Sequence, residues 1–102
     1  MKYDYIVVGA GSAGAIIATR LSEDAAKSVL LIEAGSDYPE MDNMPEEVKY
    51  GYKSTVNIWD SPHNWQYKAR ATDESVIDVP RGKVTGGSSS INGQIFLRGI
   101  PE

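Results

Sequence analysis

Gly9, Gly11 and Gly14 lie close together near the start of the chain, and Gly86-Gly87-Ser88-Ser89-Ser90 forms a second small-residue cluster near the other end. Each cluster follows an extended segment, and each reads as the opening of a helix. Glycine lets a ligand approach the backbone, and the amides freed at a helix N-terminus bind anions. Two such devices in one chain suit a long, doubly phosphorylated cofactor. Other residues offer less. His63 is the single histidine and sits in a polar loop beside Pro62, with no Asp or Ser at a persuasive spacing, so it reads as a surface or loop-packing residue. No cluster of His, Cys or carboxylates has metal-ligand spacing, and no metal is predicted.

The first cluster is positioned by a recognisable unit. Lys2–Val8 is rich in β-branched and aromatic residues and predicts a strand that stops at Gly9. From Ser12 the pattern takes helix period, with Ala13, Ile17 and Leu21 on one face, ending near Ser22–Asp24. A second apolar run, Ser28–Ile32, closes on Glu33-Ala34-Gly35. Strand, glycine turn, helix and strand make a βαβ unit. In it Gly9 serves the tight turn, Gly11 the approach of backbone to a pyrophosphate, and Gly14 the packing of helix on strand. Glu33 stands about twenty residues further on, where a carboxylate accepts hydrogen bonds from the adenosine ribose. A 2′-phosphate would be repelled there, and no Arg follows at 34 or 35, which argues against an NADP-type cofactor. The agreement of strand, spacing, helix and acid favours a dinucleotide site over a chance glycine turn. It does not separate NAD from FAD.

The middle of the chain is less informative. Ser36–Glu40 reads as a turn, and Pro45–Tyr50 as a short helix with Glu46 and Glu47 in its first turn. Trp59 and Trp65 flank a polar loop. Trp65–Ala69 and Val76–Pro80 read as the arms of a hairpin around Thr72–Ser75. The second glycine run in isolation resembles a flexible linker. Its flanks argue for a site: Ile91, Ile95 and Leu97 give a short apolar helical face that Gly99 ends, and Ser88 or Ser89 is placed to cap the helix.

The chain has 102 residues, 41% hydrophobic, a formal charge of −4 and no cysteine. The acidic balance argues against a nucleic-acid or anionic-membrane surface. No stretch approaches the ~18 apolar residues of a membrane span, and Asp4 with the interrupting glycines argues against a removable leader, so a soluble, cytoplasmic protein is expected. Both strands of the βαβ unit are continuous apolar runs, which belong in a sheet covered on both faces. One crossover helix and the polar segment 36–80 do not provide that cover. The chain is therefore expected to be part of a larger fold.

The segment Arg81-Gly82-Lys83-Val84-Thr85-Gly86-Gly87-Ser88-Ser89-Ser90-Ile91-Asn92-Gly93, with the N-terminal fingerprint, Glu33-Ala34-Gly35 and Trp65-Gln66-Tyr67, resembles the glucose–methanol–choline (GMC) family of FAD-dependent oxidoreductases, over nearly the whole chain. Thr85 stands where an aliphatic residue is more usual, and Gln94 where many members are apolar, which leaves the subfamily open. The resemblance implies an α/β, Rossmann-like FAD-binding segment. It divides into the βαβ unit at 3–35, a loop and hairpin at 36–80, and the second glycine motif with its helix at 81–99. It also implies that Gly9, Gly11, Ser12, Ala13 and Gly14 hold the pyrophosphate and that Glu33 and Ala34 meet the adenosine. Gly82, Val84, Gly86, Gly87, Ser88, Asn92, Gly93 and Ile95 would line the flavin end, with Trp65 approaching the cofactor. Some members attach flavin through a histidine just before the signature asparagine. Ile91 occupies that position, so non-covalent FAD is implied.

The family's catalytic histidine and its partner lie in a far longer chain and have no counterpart in these residues, so no catalytic residue is assigned. The implied whole is a choline dehydrogenase-like enzyme that oxidises an alcohol by hydride transfer to flavin. The remaining C-terminal polypeptide would carry the substrate domain and the base, and the exposed turn read at Gly99-Ile100-Pro101 suits a natural or proteolytic break after Glu102. Two rivals remain at this level: a flavoprotein lyase or decarboxylase of the same fold, and a non-enzymatic dinucleotide-binding module.

Overall fold

The computed structural model describes residues 1–51, 53, 57–95 and 97–99. Tyr5–Val8 forms β1, Ser12–Leu21 forms α1 and Val29–Ile32 forms β2. β1 and β2 pair in parallel, Val7 opposite Leu31 and Val8 opposite Ile32. Such a pair needs a crossover, and α1 supplies it. Asp4 fastens the outer end, its Oδ2 accepting from the amide and the hydroxyl of Ser28, each at 2.8 Å. α1 closes at Ser22, whose hydroxyl donates to the Thr19 carbonyl.

α1 lies on the Val7 face of the pair. A Cβ on Gly14 would collide with the Gly9 carbonyl and sit 3.5 Å from Val7 Cγ1, so only glycine permits this approach. Ile6 and Val8 point the other way, with their partners Leu30 and Ile32. Ile6 is 61% and Val8 80% exposed, and no layer covers this face among the described residues. The α/β class is therefore present, and the fold is incomplete on its own.

Beyond β2 come a 3₁₀ turn at Met41–Asn43 and α2 at Glu46–Lys49, preceded by Pro45 as the sequence predicts. β3 (Tyr67–Arg70) and β4 (Val76–Val79) form the expected antiparallel hairpin, Tyr67 opposite Val79. The segment Arg81–Gly87 runs through the centre as a thread. The Lys83 amide donates to the His63 carbonyl at 2.7 Å, Thr85 to Ser36 at 3.0 Å and Gly86 to Ala10 at 2.8 Å. Val84, on this thread, is 1% exposed and packs in a small core with Val48 and Ile91, bordered by Tyr38, Met44 and Ile58.

The helix expected to run from Ser88 toward Gly99 does not form. Gly87–Ser90 makes a single 3₁₀ turn, and no described residue from Ile91 to Gly99 is helical. Local chemistry wins over apolar spacing here. Asn92 Oδ1 accepts from the Gln94 amide at 2.9 Å, a side-chain turn that competes with helix, and Gln94 itself has φ 56°. In the exposed turn expected at the end of the chain, Ile100 and Pro101 lie outside the described residues.

Candidate cofactor site

β1 delivers the chain to Gly9, whose φ of 92° turns it toward α1. Gly11 then takes the N-cap position with no side chain bonded across the helix end. The first-turn amides of Ser12, Ala13 and Gly14 have no intrahelical acceptor and carry the positive end of the helix dipole. The second turn abuts the first. Gly11 and Gly86 form a parallel bridge, and a Cβ on Gly87, where φ is 62°, would stand 2.9 Å from Gly11 Cα. The two clusters were assigned to different ends of a cofactor by sequence; the fold sets them backbone against backbone.

Together they wall a cleft of about 470 Å³, within the ordinary range for small-molecule sites. Gly9, Gly11, Glu33, Ala34, Trp65, Gly82, Gly87 and Ser88 line it, as do Val8, Ile32, Tyr67 and Arg81. Trp65 and Tyr67 form one aromatic wall, their rings nearly parallel with centroids 5.8 Å apart, and Lys83 Nζ stands 5.0 Å over Trp65. Tyr67 and Arg81 were read from sequence as parts of the family-like motifs and not as cofactor contacts; the fold places both on the cleft.

Glu33 holds the first turn in shape. Its Oε2 accepts from the Ala10 amide at 2.8 Å and its Oε1 from the Gly35 amide at 2.9 Å. Burial opposes its ionisation. The amides of Ala10, Gly35 and Ala34 outweigh that and hold the carboxyl below its ordinary value. Ser88 does not cap a helix: its Oγ accepts from the Gly82 amide at 3.1 Å. Ser89 donates to the Gly86 carbonyl at 2.6 Å, so the serines knit the turn to itself.

The remaining sequence-predicted residues stand apart from the cleft lining. Ser12, Ala13 and Gly14 form the first turn of α1 behind Gly11. Val84 is in the core, and Gly86 is bonded to Ala10. Asn92, Gly93 and Ile95 lie past the second turn, with Ile95 80% exposed.

His63 departs from the expected surface position. It is 5% exposed, and partners from three segments meet it. Nε2 is 2.7 Å from the Tyr38 hydroxyl, while Nδ1 is 3.0 Å from Glu47 Oε1 and 3.1 Å from Ser61 Oγ. Ser61, two residues away, was passed over in the sequence reading, and its bond to His63 corrects that; Glu47 and Tyr38 come from remote positions that no local pattern marks. For Glu47, burial again opposes ionisation, and bonds from its own amide, His63 and Ser61 outweigh it, holding the carboxyl below its ordinary value. Among the described residues, no group of three His, Cys, Asp or Glu is arranged to hold a metal. No described helix is long and apolar enough to cross a membrane.

The donor set fits a dinucleotide. Amides without side chains and a helix N-terminus suit a pyrophosphate, a flat aromatic wall suits a ring system, and a Cβ at Gly87 would fill the junction between the turns. Comparison with known proteins agrees. The GMC oxidoreductase family model, N-terminal part, matches residues 3–102. The oxygen-dependent choline dehydrogenase of Vibrio vulnificus is 48% identical over 101 residues, covering 95% of this chain and 17% of the relative. Human mitochondrial choline dehydrogenase is 41% identical over 115 residues, covering 99% of this chain and 18% of that protein. Among solved structures, pyridoxine 4-oxidase from Mesorbium loti superposes with a TM-score of 0.76 at 33% identity, over 98% of this chain and 19% of the other. The chain thus spans less than a fifth of the length of these relatives.

Proposed function

Because the chain belongs to the GMC oxidoreductase family, we propose that it forms the N-terminal part of the FAD-binding domain of an enzyme that oxidises an alcohol. The single observation that carries this reading is the contact of the two glycine turns along one wall of a cleft whose other walls are Glu33 and Trp65. When bound, the flavin supplies the two-electron acceptor for hydride leaving the alcohol carbon. The chain's own residues bind and orient. Gly9 and Gly11 bring the backbone to the pyrophosphate at the cleft wall. The amides at the start of α1 (Ser12, Ala13 and Gly14) supply the positive helix end behind them. Glu33 with Ala34 meets the adenosine ribose while bracing Ala10. Gly82, Gly87, Ser88 and Trp65 bound the ring end. Val84 and Gly86 set that wall from behind. Asn92, Gly93 and Ile95 are assigned to the far edge of the flavin, in a part of the site closed by further polypeptide.

That polypeptide, carrying the substrate domain and a histidine base, is the partner this reading requires. The length of the relatives and the bare face of Ile6 and Val8 support it. Ile91, at the position of attachment in some members, is in the core and has no nucleophilic atom, which favours non-covalent FAD. The names of the two choline dehydrogenases given above favour a choline-like alcohol as substrate. The test is a visible spectrum of the enzyme purified together with its completing polypeptide, before and after anaerobic addition of choline. Flavin absorbance that choline bleaches, with the flavin released by acid precipitation, is the expected result. Bound flavin that choline and simple alcohols leave oxidised would favour the lyase or decarboxylase rival. Colourless protein that takes up no FAD would overturn the assignment.

A further inference from the structure

The sequence between the two tryptophans carries a polar hub that binding of a dinucleotide does not by itself require. An ionised carboxylate only accepts hydrogen bonds, so Glu47 Oε1, 3.0 Å from Nδ1, places the proton of a neutral His63 on Nδ1. Nε2 is then an acceptor, and the Tyr38 hydroxyl at 2.7 Å donates to it. Ser61 completes the set: its Oγ accepts from the His63 amide at 3.1 Å and donates to Glu47 Oε1 at 3.1 Å. All these groups are satisfied, and each of three chain segments contributes one partner.

The hub is continuous with the aromatic wall of the cleft. The His63 carbonyl accepts from Lys83 at 2.7 Å, and the next residue, Asn64, accepts from the amides of Arg81 and Gln66 at 3.0 and 3.1 Å. The Trp65 amide donates to the Arg81 carbonyl at 2.9 Å. Gln66 has φ 55°, a conformation that a non-glycine residue keeps only where its surroundings hold it. The bend there sends the chain from the buried Asn64 into β3, with Trp65 on one side of the cleft and Lys83 over its ring.

From this geometry we propose that His63, bonded to Glu47 and Tyr38, is a positioning residue that fixes the Trp65 wall of the cleft and so sets how tightly the cofactor is held. The proposal rests on the cleft being the FAD site. His63 touches no cofactor atom in this account; it acts through Asn64, Trp65 and the Arg81–Lys83 thread. The charged and titratable groups facing it are Glu47 from α2, Tyr38 from the segment after β2 and Lys83 from the thread, which lines the hollow beside its ring.

The test uses the complete enzyme and separates the two legs of the hub. In His63→Asn the amide nitrogen stands in for Nδ1, keeping the Glu47 leg and losing the Tyr38 leg. His63→Gln does the reverse, and Tyr38→Phe removes the Tyr38 leg alone. The expected result is that H63N and Y38F each weaken FAD affinity about tenfold, the factor equivalent to 1.4 kcal/mol. The double variant should be no weaker than either single, because both cut one bond. The part of the tryptophan emission that a Trp65→Phe control removes should be quenched by FAD in the unmutated enzyme and less so in the same variants. Lower melting temperatures with unchanged FAD affinity and unchanged Trp65 quenching would overturn the proposal and leave His63 a fold anchor. Failure of the unmutated enzyme to bind FAD would instead overturn the function proposed above.

Discussion

At the scale of single residues, Glu33 is the most consequential side chain of the site. Both its oxygens accept backbone amides, so the neutral amide of Glu33→Gln must turn an NH₂ group toward either Ala10 or Gly35. Leaving such a pair unmade costs about 1–3 kcal/mol. We expect E33Q to lower the melting temperature at neutral pH and to weaken FAD binding, read by thermal unfolding and by equilibrium titration. The pH dependence has a definite sign. A carboxyl whose folded pKa is depressed contributes stability above its unfolded value and loses it as pH falls through the folded one. The unmutated protein should therefore lose stability as pH drops below about 4.5, the ordinary value for Glu33 and Glu47 alike. E33Q should lose less over that window, and a parallel pH profile for the two proteins would contradict the bracing role. Glu33 itself was legible from its place at the end of β2. Its bond to Ala10 was not, because that bond depends on how tightly the first turn folds back over the strand.

At the scale of elements, the two glycine turns work as one wall, and their tolerance to substitution should follow their geometry. Gly87→Ala adds a Cβ 2.9 Å from Gly11 Cα at a left-handed position. Gly14→Ala drives a methyl into the Gly9 carbonyl. Gly99→Ala meets nothing within 4 Å. Melting temperature and FAD affinity of the complete enzyme should fall for G87A and G14A and stay unchanged for G99A. A G14A enzyme as stable as the parent would contradict the helix-on-strand packing. Periodicity and glycine placement revealed β1, α1, β2 and the hairpin, because these elements form from local patterns. The single 3₁₀ turn after Gly86 did not follow the apolar spacing of Ile91, Ile95 and Leu97. Turn chemistry at Asn92 and left-handed backbone at Gln94 decided it instead. The contact between the two turns lies between residues more than seventy positions apart, and nothing in either local pattern encodes it.

At the scale of the molecule, the radius of gyration is 16.7 Å, above the ~13 Å of a compact domain of this length. The extra extent and the bare face of Ile6 and Val8 have one cause, a sheet whose second covering layer lies outside these residues. The 102-residue chain expressed by itself should therefore associate or remain partly folded, measured by gel filtration and circular dichroism. A monodisperse folded monomer that binds FAD would favour the non-enzymatic module. This incompleteness was legible from sequence, since two unbroken apolar strands need cover on both faces and the polar segment that follows offers none. Whether the paired glycine turns hold the cofactor is read by titrating FAD into the complete enzyme, deflavinated, and into its Gly87→Val variant. The expected result is that a folded G87V enzyme, its melting confirmed as cooperative, no longer retains FAD, because the added side chain forces the two turns apart. Undiminished FAD affinity in that variant would contradict it.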